Sequence, residues 1–268
     1  MSITTIMSID YLFVYSILTG IFLCSSLSCI GCVALWKNSS FLGEAISHAS
    51  LIGVLLSFIL SFDITVGLII YATVFGVIIY FMRNIKFTNV SSLIVSYTLL
   101  SVGIVFLGLY KRINFDLMSL LFGDVLLISR VDLVVSASIF LSVVGWLYKR
   151  WKQILCCSLN EEMAFVLGYK PDQINFEFCV IISLIVALSI KIIGVLMVTA
   201  MLIIPAAASA GVSNSPSGMV IRSGIISILS LVFGLMLSYH LDTITGPTIV
   251  LVSSIIFLIL WFYRLCKR

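Results

Sequence analysis

ITVGLIIYATVFGVIIYFM, residues Ile64 to Met82, lies between Asp63 and Arg83 and contains no charged side chain. As a helix rising 1.5 Å per residue it is roughly 28 Å long, close to the thickness of a bilayer's hydrocarbon core. Its apolar residues do not alternate with polar ones, so it does not read as a barrel strand. Similar runs lie on both sides: Tyr11–Leu35 and Ala45–Leu60 before it, then Ser91–Leu109, Val131–Tyr148, Phe176–Ile190, Val195–Ala210, Ile221–His240 and Pro247–Tyr263. The spacing predicts an all-α, polytopic transmembrane bundle of about nine helices, in one transmembrane domain over residues 1–268. The sixth and seventh runs are short, and only Lys191 and Gly194 interrupt them. Fusing them would give eight spans.

The composition agrees. The 268 residues are 62% hydrophobic and 10% charged, with a mean hydropathy of +1.27. Soluble domains are about half apolar and a quarter charged. The net charge of +4 says nothing of nucleic acid in such a chain; what matters is where the charges fall. If Lys149–Asn175 is cytoplasmic, alternation also places inside Lys37, Arg83, Lys86, Arg222, Arg264, Lys267 and Arg268. Lys111, Arg112 and Arg130 then lie outside, and Lys191 falls at the break between the sixth and seventh runs. Cytoplasmic loops gather Lys and Arg, so the expected topology has the N-terminus outside and the C-terminus inside. Met1 to Asp10 carries no positive charge, and the apolar run after it is too long for a signal peptide. The first span is therefore expected to remain. The seven cysteines form no zinc quartet and read as small packing residues.

Two loops are long. Tyr110–Arg130, outside, contains an apolar stretch, Phe115–Ile128, expected to lie on the bilayer surface. Lys149–Asn175, inside, is the most polar stretch of the chain. No phosphate-binding Gly-x-x-x-x-Gly-Lys-[Ser/Thr] motif is present. Any ATP must be bound by another chain.

Three constellations hold the chemistry. Glu44 and His48 stand four residues apart, so a helix places them on one face, with Ser47 nearly on the same side. Ionisable groups at the start of a membrane helix are costly unless they face a cavity or a partner. A carboxylate and an imidazole suit a divalent transition metal. Alternatively they form a Glu–His hydrogen bond, with Glu44 favouring the helix N-terminus. The second constellation is Asn160-Glu161-Glu162-Met163-Ala164-Phe165-Val166-Leu167-Gly168. Asn160 can cap, the two acids suit a first turn, and Gly168 can end the helix. This short amphipathic helix would rest on lipid headgroups or dock into a partner. The third is His240 and Asp242, which with Asp124 and Asp63 are polar groups on the expected outer face. They would be either a polar hairpin or a transient metal contact. Lys191 would pair across helices or snorkel to the surface. Pro205 and the alanines after it read as a packing or gating element.

The order of these motifs resembles the ABC-3 family, the membrane permeases of ATP-binding-cassette importers for zinc, manganese and iron, and is most similar to its zinc permeases. The resemblance rests on Phe41–Ala49, Leu120–Asp124, Asn160–Ala164, Gly194 through Pro205–Ala208, and Asp242 with Gly246-Pro247. It implies a bacterial inner-membrane permease with a shortened vitamin-B12-importer fold, working as a homodimer in membrane lipid. It also implies two cytoplasmic ATPase subunits and a periplasmic or lipid-anchored metal-binding protein. No cofactor is held permanently; the cargo would be Zn2+, or Mn2+ or Fe2+. The family's metal-site acid and histidine match Glu44 and His48, and its ATPase-coupling helix matches Asn160–Gly168. The family more usually has Asp where this chain has Glu44. The rival class is a stand-alone carrier driven by an ion gradient, which would show more acids within its spans. An intramembrane metalloprotease would need His-Glu-x-x-His, and the two histidines are His48 and His240.

Overall fold

The structure is a computed structural model that describes residues 3–84, 89–109, 122–123 and 130–267. The described residues are helical, with no strand among them. The helices are α1 (Ile3–Trp36), α2 (Phe41–Leu60), α3 (Ile64–Asn84), α4 (Asn89–Leu109) and α5 (Arg130–Leu159). After them come α6 (Glu161–Val166), α7 (Pro171–Ile193), α8 (Val195–Val212), α9 (Pro216–Leu241) and α10 (Thr245–Cys266). Among the described residues, 8 helices are long and apolar enough to cross a membrane; α4 adds a shorter apolar segment, Ile94–Phe106.

Gly194 decides the question of the sixth and seventh spans. Its φ of 86° and ψ of 155° are open essentially to glycine alone, and they stop α7 before α8 begins. Lys191 reaches back from the last turn of α7 to donate to Thr65 Oγ1 at 3.3 Å, at the start of α3. Of the two expectations for this lysine, the pairing across helices is the one observed.

Several boundaries differ from the sequence reading, and three of them bear on the candidate sites. Helix α5 does not stop at Tyr148 but runs on to Leu159. Lys149, Arg150, Lys152 and Gln153 end an apolar span, yet they are good helix formers and so do not end the helix. Most of the expected polar loop is thus helical. Helix α7 begins at Pro171, which suits a first helical position because its missing N–H has no partner there to lose. Helix α2 begins at Phe41, which puts Glu44 inside its first turn. The expected surface helix Phe115–Ile128 lies outside the described residues except for Phe122 and Gly123.

The helices gather into two compact units, each drawing on separated stretches of chain. One comprises Met1–Cys32, Met118–Gly145 and Ile192–Arg268; the other Val33–Leu117 and Trp146–Lys191. In the first, α8, α9 and α10 pack on one another. Ser223 of α9 donates to the Ser28 carbonyl of α1 at 3.2 Å, and Phe22 and Phe140 meet with ring centres 5.7 Å apart. In the second, α2 packs between α3 and α4, and Tyr80 of α3 meets Phe176 of α7 edge-on. Both interiors are studded with buried serines, among them Ser50, Ser57, Ser183, Ser209 and Ser230. Apolar side chains gain little from contact with one another when the alternative is lipid, so small residues that let helices approach closely do the packing.

Candidate functional site

The second unit contains both of the leading constellations. Glu44 and His48 share one face of α2, with Glu44 Oε1 3.6 Å from His48 Nε2. Their side chains are 30% and 17% exposed, so both remain within reach of a small ligand. A separation of 3.6 Å is attractive if the imidazole is protonated but is too long for a hydrogen bond. The alternative reading as a Glu–His hydrogen bond therefore does not describe the pair. The donor to Glu44 is Tyr97, from α4, whose hydroxyl lies 3.0 Å from Oε1. The Tyr97 ring also flanks His48, with centres 5.5 Å apart. Tyr97 had no signal in the sequence. Ser47 is fully buried, unlike its two neighbours, and its Oγ has no hydrogen-bond partner; the same is true of His48 Nδ1. Among the described residues no three His, Cys, Asp or Glu side chains converge on a point that could hold a metal. The arrangement can thus offer one carboxylate and one imidazole, a partial shell from which an ion can leave.

The 160–177 region of the same unit is fixed from several sides. Asn160 caps α6 as its sequence suggests: Oδ1 accepts from the N–H groups of Glu162 at 2.8 Å and Met163 at 3.1 Å. At the other end Gly168 takes a φ of 80°, its N–H reaches the Phe165 carbonyl, and the Tyr169 N–H reaches that of Ala164. These are the two bonds of a Schellman ending. Ala164 is wholly buried, whereas Met163, Phe165, Val166 and Leu167 all stand exposed. Glu161 accepts from Asn175 Nδ2 at 3.1 Å, and Asn175 Oδ1 accepts from Lys37 Nζ at 2.6 Å. Asn175 is only 4% exposed, so the middle of this two-bond link is buried. It joins α6 to the turn that starts α2. Alongside, Glu177 of α7 accepts from Arg150 at 2.8 Å and Trp146 at 2.9 Å, both of α5. The helices before and after α6 are therefore pinned together.

The ABC 3 transport family model matches residues 9–264. The chain belongs to this family. A high-affinity zinc uptake system membrane protein, ZnuB of Haemophilus influenzae, is 31% identical over 251 residues, covering 93% of this chain and 96% of that protein. A manganese import system permease protein, ScaB of Streptococcus gordonii, is 29% identical over 87% of this chain and 84% of its own. Among solved structures, PsaBC from Streptococcus pneumoniae in complex with Fab superposes with a TM-score of 0.82 at 28% identity, covering 93% of this chain and 91% of that one. The chain is thus a multi-pass membrane permease similar to metal-transport permeases.

The remaining stretches of the family pattern fall in the first unit, and three of them converge. A Cβ on Gly246 would lie 2.7 Å from the carbonyl oxygen of Phe122, and one on Gly123 would clash with the backbone of Ile193 and Gly194. Gly123, Gly194 and Gly246 thus let three backbone segments meet. Asp124 itself lies outside the described residues. His240 and Asp242 are exposed, and Asp242 ends α9 in a left-handed conformation, φ 53°, with its N–H on the Ser238 carbonyl. Aspartate tolerates that conformation better than most residues, so Asp242 has a structural role there. Pro205 lies buried within α8, which continues past it to Val212.

Proposed function

We propose that this chain is the permease subunit of an ATP-driven importer for zinc, in a bacterial inner membrane. Glu44 and His48 on one face of α2, partly exposed and steadied by Tyr97, carry the reading. Zinc takes nitrogen and oxygen ligands readily, and two ligands hold it loosely enough for passage. Glu44, His48 and, more distantly, Ser47 form the transient site. As the chain works it would be one domain, paired with a second copy, with its N-terminus outside and its C-terminus in the cytoplasm.

ATP hydrolysis falls to separate subunits, and α6 receives their motion. Its exposed Met163, Phe165, Val166 and Leu167 suit a groove on such a subunit. A push on α6 passes through Glu161, Asn175 and Lys37 to the first turn of α2, where Glu44 stands. A metal-binding protein outside would deliver the ion. Names among the relatives include manganese permeases as well as zinc ones, and a carboxylate with an imidazole also accepts manganese.

The test is uptake by vesicles carrying the chain with its ATPase and metal-binding partners, comparing zinc with manganese. Zinc accumulation that needs ATP is the expected result. Preference for manganese would reassign the cargo, and accumulation without ATP would point to a gradient-driven carrier.

A further inference from the structure

Both carboxylate oxygens of Glu177 on α7 are engaged. Oε1 accepts from Arg150 Nη2 at 2.8 Å and from Gln173 Nε2 at 3.1 Å, and Oε2 accepts from Trp146 Nε1 at 2.9 Å. Arg150 Nη1 also donates to Gln153 Oε1 at 3.0 Å. Trp146, Arg150 and Gln153 are spaced by four and three, so they share one face of α5; Gln173 and Glu177 share one face of α7. The Arg150 and Glu177 side chains are only 24% and 23% exposed, so water competes weakly for their charge-assisted bond.

This clamp lies close behind α6. From Arg150 to the end of α5 at Leu159 is roughly 14 Å of helix, and from the start of α7 at Pro171 to Glu177 roughly 9 Å. Asn175, two residues from Gln173 and from Glu177, lies on the opposite side of α7, where it holds Glu161 and Lys37. The first turns of α7 thus tie α5 on one side and the link from α6 to α2 on the other. Packing alone does not call for such a cluster. Only 17% of the apolar span of α5 is buried, and inside a bilayer apolar contact resists separation weakly, because lipid replaces it. Directional, charge-assisted bonds fix the angle and register of two helices where apolar contact does not. A push on α6 can either splay α5 from α7 or move the two together.

We propose that Glu177 is a positioning residue for energy coupling. By tying α7 to Trp146 and Arg150, it makes the end of α5 and the start of α7 carry α6 as one body. A push on α6 then passes along α7 to Asn175 and Lys37 instead of opening the hairpin. That role rests on α6 being the element that receives the ATPases' motion.

The test uses vesicles with the full chain, its ATPases and its metal-binding protein, in which zinc taken up and ATP hydrolysed are counted in the same sample. Glu177→Gln keeps the size of the side chain and breaks the ion pair. The ATPases should stay bound at the wild-type ratio and go on hydrolysing ATP, while the zinc moved per ATP falls by roughly threefold or more. Arg150→Gln should do the same, and the double variant should be no worse than either alone, because the two side chains act as one pair. A wild-type zinc-to-ATP ratio in Glu177→Gln would overturn the proposal. So would a double variant whose loss is the product of the single ones, since the two groups would then act separately. Should Glu177→Gln fail to assemble, Trp146→Phe removes one donor and keeps an aromatic ring, and an unchanged ratio there overturns the proposal equally. The role of α6 is tested apart: Phe165→Ala with Val166→Ala should release the ATPases. ATPases that stay bound would contradict that role and overturn the proposal with it, whereas their release, together with a wild-type ratio in Glu177→Gln, removes the clamp alone.

Discussion

Glu44 holds a carboxylate in the first turn of a helix that enters the membrane, and Tyr97 is its hydrogen-bond donor. Removing that hydroxyl by Tyr97→Phe should lower stability only slightly, since the hydrogen bond to Glu44 is exposed to solvent. Thermal unfolding in detergent measures the loss. If Tyr97 also orients the carboxylate for metal, the variant should raise the KM for zinc uptake while kcat stays near wild type; an unchanged KM would reduce Tyr97 to a packing role. The Glu44–His48 pairing was legible in the sequence because a spacing of four is a helical neighbour. Tyr97 was not, because it lies 53 positions from Glu44, and no local pattern links side chains that far apart.

Among the elements, α6 is the shortest and the most dependent on its ends. Asn160→Ala removes the acceptor for two N–H groups and should cost about 1 kcal/mol. The measured consequence should be weaker co-purification of the ATPase with an otherwise intact membrane bundle. Breaking the link at its buried centre with Asn175→Leu should act differently: the ATPase stays bound, but less zinc moves per ATP hydrolysed. A wild-type zinc-to-ATP ratio in that variant would remove the Lys37–Asn175–Glu161 link from the coupling route. Cap and stop residues of α6 could be read from the chain because capping is local. The link through Asn175 and the Glu177 cluster could not, since each needs α5, α6 and α7 already folded back on one another. The polar reading of Lys149–Leu159 as loop failed for a related reason: charge marks where a helix leaves the bilayer, not where it ends.

At the scale of the whole molecule, the spans were legible because apolar runs of membrane length have few other uses, and Gly194 marked the break between two of them. Close packing of backbone at Gly246 was not readable. Gly246→Ala should destabilise by roughly 1–3 kcal/mol through overpacking against Phe122, whereas Gly145→Ala, with nothing within 4 Å of the added carbon, should be neutral or stabilising. Thermal midpoints of the two variants would show the contrast. Topology has a built-in reporter: Cys266 is exposed while Cys24, Cys29, Cys32, Cys157 and Cys179 are buried. An impermeant maleimide should label Cys266 only after the cytoplasmic face is opened, and labelling in intact cells would reverse the orientation. The most direct measurement of the central claim is ATP-driven zinc uptake by vesicles containing Glu44→Gln with His48→Ala, assembled with the same partners as wild type. Uptake lower by at least roughly tenfold, with the ATPases bound at the wild-type ratio, is the predicted result. Uptake equal to wild type would contradict the account, because the ion would then pass by a route that does not use this face of α2.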